Sequence, residues 1–176
     1  RNSYSDYLGP ILEDAVSNWE GLHGIDLHGP EDLPLWDWVP RLWQVARSNG
    51  RALKAHAGEF GPAENVRHAV LELGVKRIQH GIHAAKDQEV MNLLAGEGVT
   101  LDLCPISNHK LRIFDQWEEY PLREFLGRGI RCTISTDDPM SFANSLTEEY
   151  LALHGEMGFS PTELAQFARA GFEVAD

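Results

Sequence analysis

Only two cysteines, Cys104 and Cys132, occur in the 176 residues, too few for a disulfide scaffold. Each falls in a run that reads as a buried strand, so both are expected to be reduced and packed. No stretch reaches the roughly 18 apolar residues of a membrane-spanning helix. No Gly-x-Gly-x-x-Gly occurs, which removes the usual phosphate loop of a dinucleotide-binding sheet. Cations are scarce: 15 Lys and Arg stand against 27 Asp and Glu, for a formal net charge of -12. Nucleic acid and anionic membranes need clustered Lys and Arg, so neither is an expected partner, and a neutral or small ligand fits better. The chain opens on Arg1-Asn2-Ser3, with no initiator methionine or apolar leader. A signal segment upstream stays open, and the cytoplasm is the default expectation.

What is present is apolar material for one sizeable core, 43% hydrophobic against 24% charged. Short apolar runs alternate with amphipathic stretches. Strands are expected over 22–27, 52–56, 75–79, 99–103 and 130–135. Helices are expected over 35–48, from Pro62 through Leu73, over 86–95 and over 121–126. Pro40 interrupts the first of these. Ser160-Pro161-Thr162-Glu163 is a capping box with proline at the first helical position, and starts a final helix through Leu164, Phe167 and Ala168. From His56 to His80 is 24 residues, and from His80 to Cys104 is again 24. This regular alternation predicts parallel strands with right-handed helical crossovers. Of the two architectures that qualify, the doubly wound sheet lacks its glycine loop here. A complete (β/α)8 TIM barrel takes about 250 residues. Only five strands are counted, so either the barrel is partial or its remaining strands belong to sequence outside these 176 residues.

Polar residues close each strand: His28, then His56 with Glu59, His80 with His83, Ser107 with Asn108, and Asp137 with Asp138. In a parallel α/β fold these ends share the face where active sites are built. One histidine at a strand end is ordinary. Five successive strands ending in ligand or acid–base residues are hard to explain by core packing. His56, His80 and Asp137 together offer two imidazoles and a carboxylate, a set suited to Zn²⁺, with Fe²⁺ the lesser alternative. Asp137-Asp138-Pro139 is also ordinary helix-start chemistry, so that segment counts only as part of the set.

The motifs His56-Ala57-Gly58-Glu59, His80-Gly81-Ile82-His83, Cys104-Pro105-Ile106-Ser107-Asn108 and Ser135-Thr136-Asp137-Asp138-Pro139 resemble the strand-end motifs of the adenosine deaminase family, in the family's order. Gly24-Ile25-Asp26-Leu27-His28-Gly29-Pro30-Glu31 resembles the motif before them, and the likeness runs from about residue 22 to 160. The resemblance implies a zinc-dependent hydrolase that converts a 6-aminopurine to the 6-oxopurine and ammonia. It implies His56 and Asp137 as metal ligands, Glu59 as the acid that protonates purine N1, and His80 as the residue that orients the zinc-bound water. It implies Gly29 along the purine and Asp138 at purine N7. The family's His-x-His ligand pair, which closes its first strand, has no counterpart here. The resemblance therefore implies a single domain over 1–176 that is α/β, a (β/α)8 TIM barrel of the metal-dependent hydrolase type with only about its last five βα units and its first three strands missing.

Ser107-Asn108-His109-Lys110-Leu111 resembles the adenine-deaminase branch, and adenine and adenosine both stay open as substrates. Two other readings stand beside deamination. One is another amidohydrolase reaction on the same metal scaffold. The other is a non-catalytic or incomplete barrel, motivated by the missing His-x-His; the rest of the barrel would then be its partner. Trp36, Trp38 and Trp43 read as helix packing and rim, Trp117-Glu118-Glu119-Tyr120 as a solvated helix start, and Lys110 as a solvated loop residue. His23, His68 and His154 show no partner in the sequence.

Overall fold

A computed structural model describes residues 8–35 and 37–174. Trp36 and the Arg1-Asn2-Ser3 opening lie outside the described residues. Five parallel strands form one sheet: β1 (Gly24–Leu27), β2 (Ala52–Ala57), β3 (Arg77–His80), β4 (Thr100–Leu103) and β5 (Arg131–Ile134). They are ordered β1-β2-β3-β4-β5, all pairs parallel. A doubly wound sheet needs a point where the strand order reverses. None exists among these strands, so the fold is the partial barrel.

Helix α1 (Leu8–Asn18) precedes β1, and α2 (Val39–Ser48), α3 (Ala63–Leu71), α4 (Gln88–Gly96) and α6 (Leu122–Gly127) fill the successive crossovers. Between β4 and α6 lies the short α5 (Pro105–Lys110). After β5 come α7 (Pro139–Phe142), α8 (Leu146–Met157) and α9 (Pro161–Glu173). The helix expected from Leu35 begins at Val39 instead. Pro40 lies in its first turn, where a missing N–H costs nothing, so the proline starts the helix rather than kinking it. The capping box at Ser160 is present as expected, with Glu163 N donating to Ser160 Oγ and Ser160 N to Glu163 Oε2. Cys132 lies within β5. Cys104 lies one residue past β4, where it caps α5 ahead of Pro105. Both thiols are free and buried.

Alternation along the strands separates two faces. Ala55, Ala57, Ile78, Leu101, Leu103, Cys132 and Ile134 join one apolar cluster with Val66, Ala69, Val70, Val90, Met91, Leu94 and Phe125 from the helices. The residues between them are polar and meet across the opposite face. Asp102 on β4, 1% exposed, accepts from Arg77 at 3.0 and 3.2 Å, from Thr133 at 2.6 Å and from Lys54 at 2.9 Å. Burial opposes its ionisation, but these partners outweigh that and hold its carboxyl below the ordinary value. Its stabilisation is therefore present above the unfolded-state pKa and is lost as pH falls through the folded one. Asp102→Ala leaves two cations without their shared acceptor. It is expected to cost roughly 3 kcal/mol in denaturant unfolding near neutral pH, with the difference shrinking in acid. A pH-independent difference would count against this assignment.

No helix among the described residues is long and apolar enough to cross a membrane. The histidines that show no partner in the sequence have one in the fold. His23 Nδ1 lies 3.1 Å from Gly21 O, His154 Nδ1 2.7 Å from Phe159 O, and His68 Nε2 2.9 Å from Glu64.

Candidate active site

The site is built at the C-terminal ends of the strands. At the end of β2, His56 Nδ1 lies 3.2 Å from Asp26 Oδ1 on neighbouring β1, which leaves Nε2 available. A carboxylate behind a histidine is the usual outer support of a metal-ligating imidazole. Gly58 follows with φ +71°, where an added Cβ would come 2.5 Å from Val66 Cγ2. Glu31, from the loop after β1, gathers this turn around its carboxylate. Gly58 N donates to it at 2.7 Å, Glu59 N at 2.9 Å, Phe60 N at 3.3 Å and Asn65 Nδ2 at 3.0 Å. Burial would raise the Glu31 pKa, but Asn65 and the three backbone N–H groups lower it below the ordinary value.

That cradle aims Glu59 at β3. Its carboxylate lies 3.5 Å from His80 Nε2 and accepts from Asn108 Nδ2 at 3.3 Å. Burial first, then the charges of Asp137 and Glu31, push the Glu59 carboxyl up to about 7, against a smaller opposing pull from His56. Near neutrality it is a proton donor as readily as an acceptor.

His80 is 1% exposed and has φ +67°, a conformation that costs a non-glycine residue roughly 1 kcal/mol or more. Gly81 beside it has φ +69°, and a Cβ there would come 2.7 Å from Leu101 Cδ2. Asn108 Nδ2 donates to His80 Nδ1 at 3.1 Å. The Tyr120 hydroxyl donates to Asn108 Oδ1 at 3.5 Å and so orients that amide. Neutral His80 then carries its proton on Nε2, facing Glu59 and, at 3.9 Å, Asp137 Oδ2. Burial is the main reason its pKa falls, to about 4.

Asp137 also has φ above zero, +60°, and its Oδ2 accepts from Ser107 Oγ at 2.6 Å. Cys104 Sγ accepts from Gln79 Nε2 at 2.8 Å, and burial pushes its thiol far up. Donor atoms of His80, Cys104 and Asp137 lie within 4.8 Å of one another. The His56 and His80 ring centroids are 5.5 Å apart, and those of His28 and His56 are 6.0 Å apart. His56 Nε2, left available by Asp26, and the Asp137 carboxylate of this cluster are nitrogen and oxygen donors that fit a transition-metal ion such as zinc.

The structure therefore brings Glu59, His80 and Asp137 together, with His56 alongside. Gly29 lies in the loop after β1 with φ +128°. Asp138 is placed differently. It is exposed and caps α7, accepting from Met140 N at 3.2 Å, Ser141 N at 3.3 Å and Ser141 Oγ at 2.5 Å. Ser141 chiefly holds its carboxyl below the ordinary value. Lys110, read from sequence as a solvated loop residue, donates to the Phe142 carbonyl and joins α5 to α7.

The sequence places Asn108 among the polar strand ends but gives no site role to Glu31 or Cys104, though both carry a signal. Glu31 closes the His28-Gly29-Pro30-Glu31 motif, and Cys104-Pro105 is a helix start.

A family model described as adenosine deaminase matches residues 13–175. Curated relatives include an adenine deaminase of Sinorhizobium medicae, 37% identical over 175 residues, covering 96% of this chain and 54% of that protein. An adenosine deaminase of Shewanella loihica is 41% identical over 164 residues, covering 93% of this chain and 50% of that protein. Among solved structures, the adenine deaminase of Arthrobacter aurescens superposes with a TM-score of 0.87 at 33% identity, over 96% of this chain and 51% of its own. An amidohydrolase of Burkholderia ambifaria with bound Zn superposes with a TM-score of 0.83 at 29% identity, over 96% and 48%. The chain thus spans about half the length of the relatives it matches. Five parallel βα units in unbroken order, ending in this donor set, and the match over nearly the whole chain lead to one conclusion: the chain belongs to the adenosine deaminase family.

Proposed function

We propose that this chain supplies the C-terminal five βα units of a zinc-dependent hydrolase that deaminates a 6-aminopurine, adenine or adenosine, to the 6-oxopurine with release of ammonia. The observation that carries the reading is the convergence of three side chains from separate strand ends: Glu59 at 3.5 Å and Asp137 at 3.9 Å from the same His80 nitrogen. Another amidohydrolase reaction on the same scaffold would have no need of a protonated Glu59 at this position.

His56 and Asp137 would hold the zinc through Nε2 and a carboxylate oxygen. When bound, the ion supplies an acidified water, with its pKa brought to about 7. Glu59, protonated, donates to purine N1 and makes C6 electrophilic. His80, neutral and carrying its proton on Nε2, donates a hydrogen bond to the oxygen arriving at C6 and holds it in place. Gly29 presents bare backbone along the purine plane. Asp138 would face the N7 edge, and because N7 of adenosine carries only a lone pair the contact requires a proton shared between the two.

An absorbance assay of the intact protein with adenine and adenosine side by side tests the reaction and separates the two substrates. Turnover of neither, with one zinc per chain, would reject deamination of these purines. Well under one zinc per chain would favour a non-catalytic barrel. The outer support of His56 gives a further expectation. Asp26→Asn should weaken zinc binding by about 10- to 100-fold in chelator competition. Unchanged affinity would remove His56 as a ligand held by Asp26.

A further inference from the structure

One buried carboxylate has no part in this chemistry. Glu149 lies on α8 and is 0% exposed. Its Oε2 accepts from Ile106 N at 3.0 Å and its Oε1 from Asn144 Nδ2 at 2.6 Å. The same Asn144 nitrogen donates to the Thr136 carbonyl at 3.1 Å. Thr136 immediately precedes Asp137, whose backbone is held at φ +60°. Ile106 immediately precedes Ser107, whose hydroxyl donates to the Asp137 carboxylate at 2.6 Å. Glu149 therefore grips both approaches to Asp137: the peptide that enters its strained turn and the helix that carries the donor on its carboxylate. A buried ionisable group is retained only where its partners compensate the lost hydration. Both oxygens of Glu149 are hydrogen-bonded, which offsets part of that loss, and burial still raises its carboxyl to about 7.

We propose that Glu149, acting through Asn144, is a positioning residue that fixes the direction of the Asp137 carboxylate toward a bound metal. This rests on the zinc reading above. Glutamine at 149 can satisfy Ile106 N with its oxygen, but its amide then meets the Asn144 nitrogen. Asn144 must turn its carbonyl toward that amide, which releases Thr136. Asn144→Ala removes the link to Thr136 while leaving the Glu149–Ile106 bond.

The test uses the intact protein, with zinc affinity read by competition against a chromogenic chelator and kcat and KM measured separately. Glu149→Gln and Asn144→Ala should each weaken zinc about tenfold or more and lower kcat with KM nearly unchanged. Leu153→Ala, on the same helix and equally buried, should lower the melting temperature while leaving zinc affinity at the wild-type value. If Glu149→Gln does not fold, Asn144→Ala decides. Wild-type zinc affinity in the folded variants would overturn the proposal, as would an equal loss in Leu153→Ala. Absence of zinc from the wild type would instead overturn the metal reading and this proposal with it. A zinc-binding wild type without deaminase activity would reject only the reaction, and the affinity comparison would still decide the role of Glu149.

Discussion

Glu59→Gln in the intact protein should keep its zinc and lose at least about a hundredfold in kcat, the range expected when a positioned acid is removed. The argument begins with shape. Glutamine has the length and branching of glutamate, and its carbonyl can still accept the Asn108 amide that reaches Glu59 Oε1 at 3.3 Å. The Glu31 cradle contacts only the backbone at Gly58, Glu59 and Phe60, so the loop conformation does not depend on the acid. What glutamine cannot do is give up a proton. Glu59 can, because burial and the nearby charges of Asp137 and Glu31 raise it to about 7. Zinc content is the control: loss of metal together with rate would make the effect structural. Retained zinc with near wild-type turnover would remove Glu59 from the mechanism.

The parallel framework was legible because each strand is a short apolar run stopped by a turn signal, and because 24-residue spacings recur. The strand-end residues followed from that framework, since topology alone puts the ends on one face. Local rules failed where a residue answers to something distant. Nothing near Glu149 marks it as buried: it lies in Thr147-Glu148-Glu149, on a helix where Leu146 and Leu151 are exposed and the glutamate is not. Its partner Ile106 is 43 residues away. Glu31 likewise serves a turn 27 to 29 residues downstream. The short helices α5 and α7 are too brief for a 3.6-residue period to register. Cys104 was misplaced by one position, because a buried strand end and a helix cap before proline share the same apolar neighbourhood. Asp138 shows the reverse. Its helix-start signal is local, and its carboxylate caps α7 accordingly.

Asp137→Ala should purify from the intact protein with well under one zinc per chain and correspondingly little activity. Three contributions are lost together. The carboxylate is the only anionic donor in the cluster with His80 and Cys104, and a divalent ion in a buried corner depends on that charge more than on geometry. Ser107 Oγ loses its acceptor at 2.6 Å and is freed to turn toward the vacated space. The backbone at φ +60° also loses a residue type that tolerates it, since aspartate and asparagine adopt this region more readily than alanine. Asp137→Asn separates these effects. Asparagine keeps the backbone preference and an acceptor for Ser107, and removes only the charge. It should still weaken zinc by at least about a hundredfold, beyond the loss expected from an outer support. If Asp137→Asn binds zinc normally while Asp137→Ala does not, the residue shapes the turn rather than ligating the ion. Full zinc in both variants would reject Asp137 as a ligand.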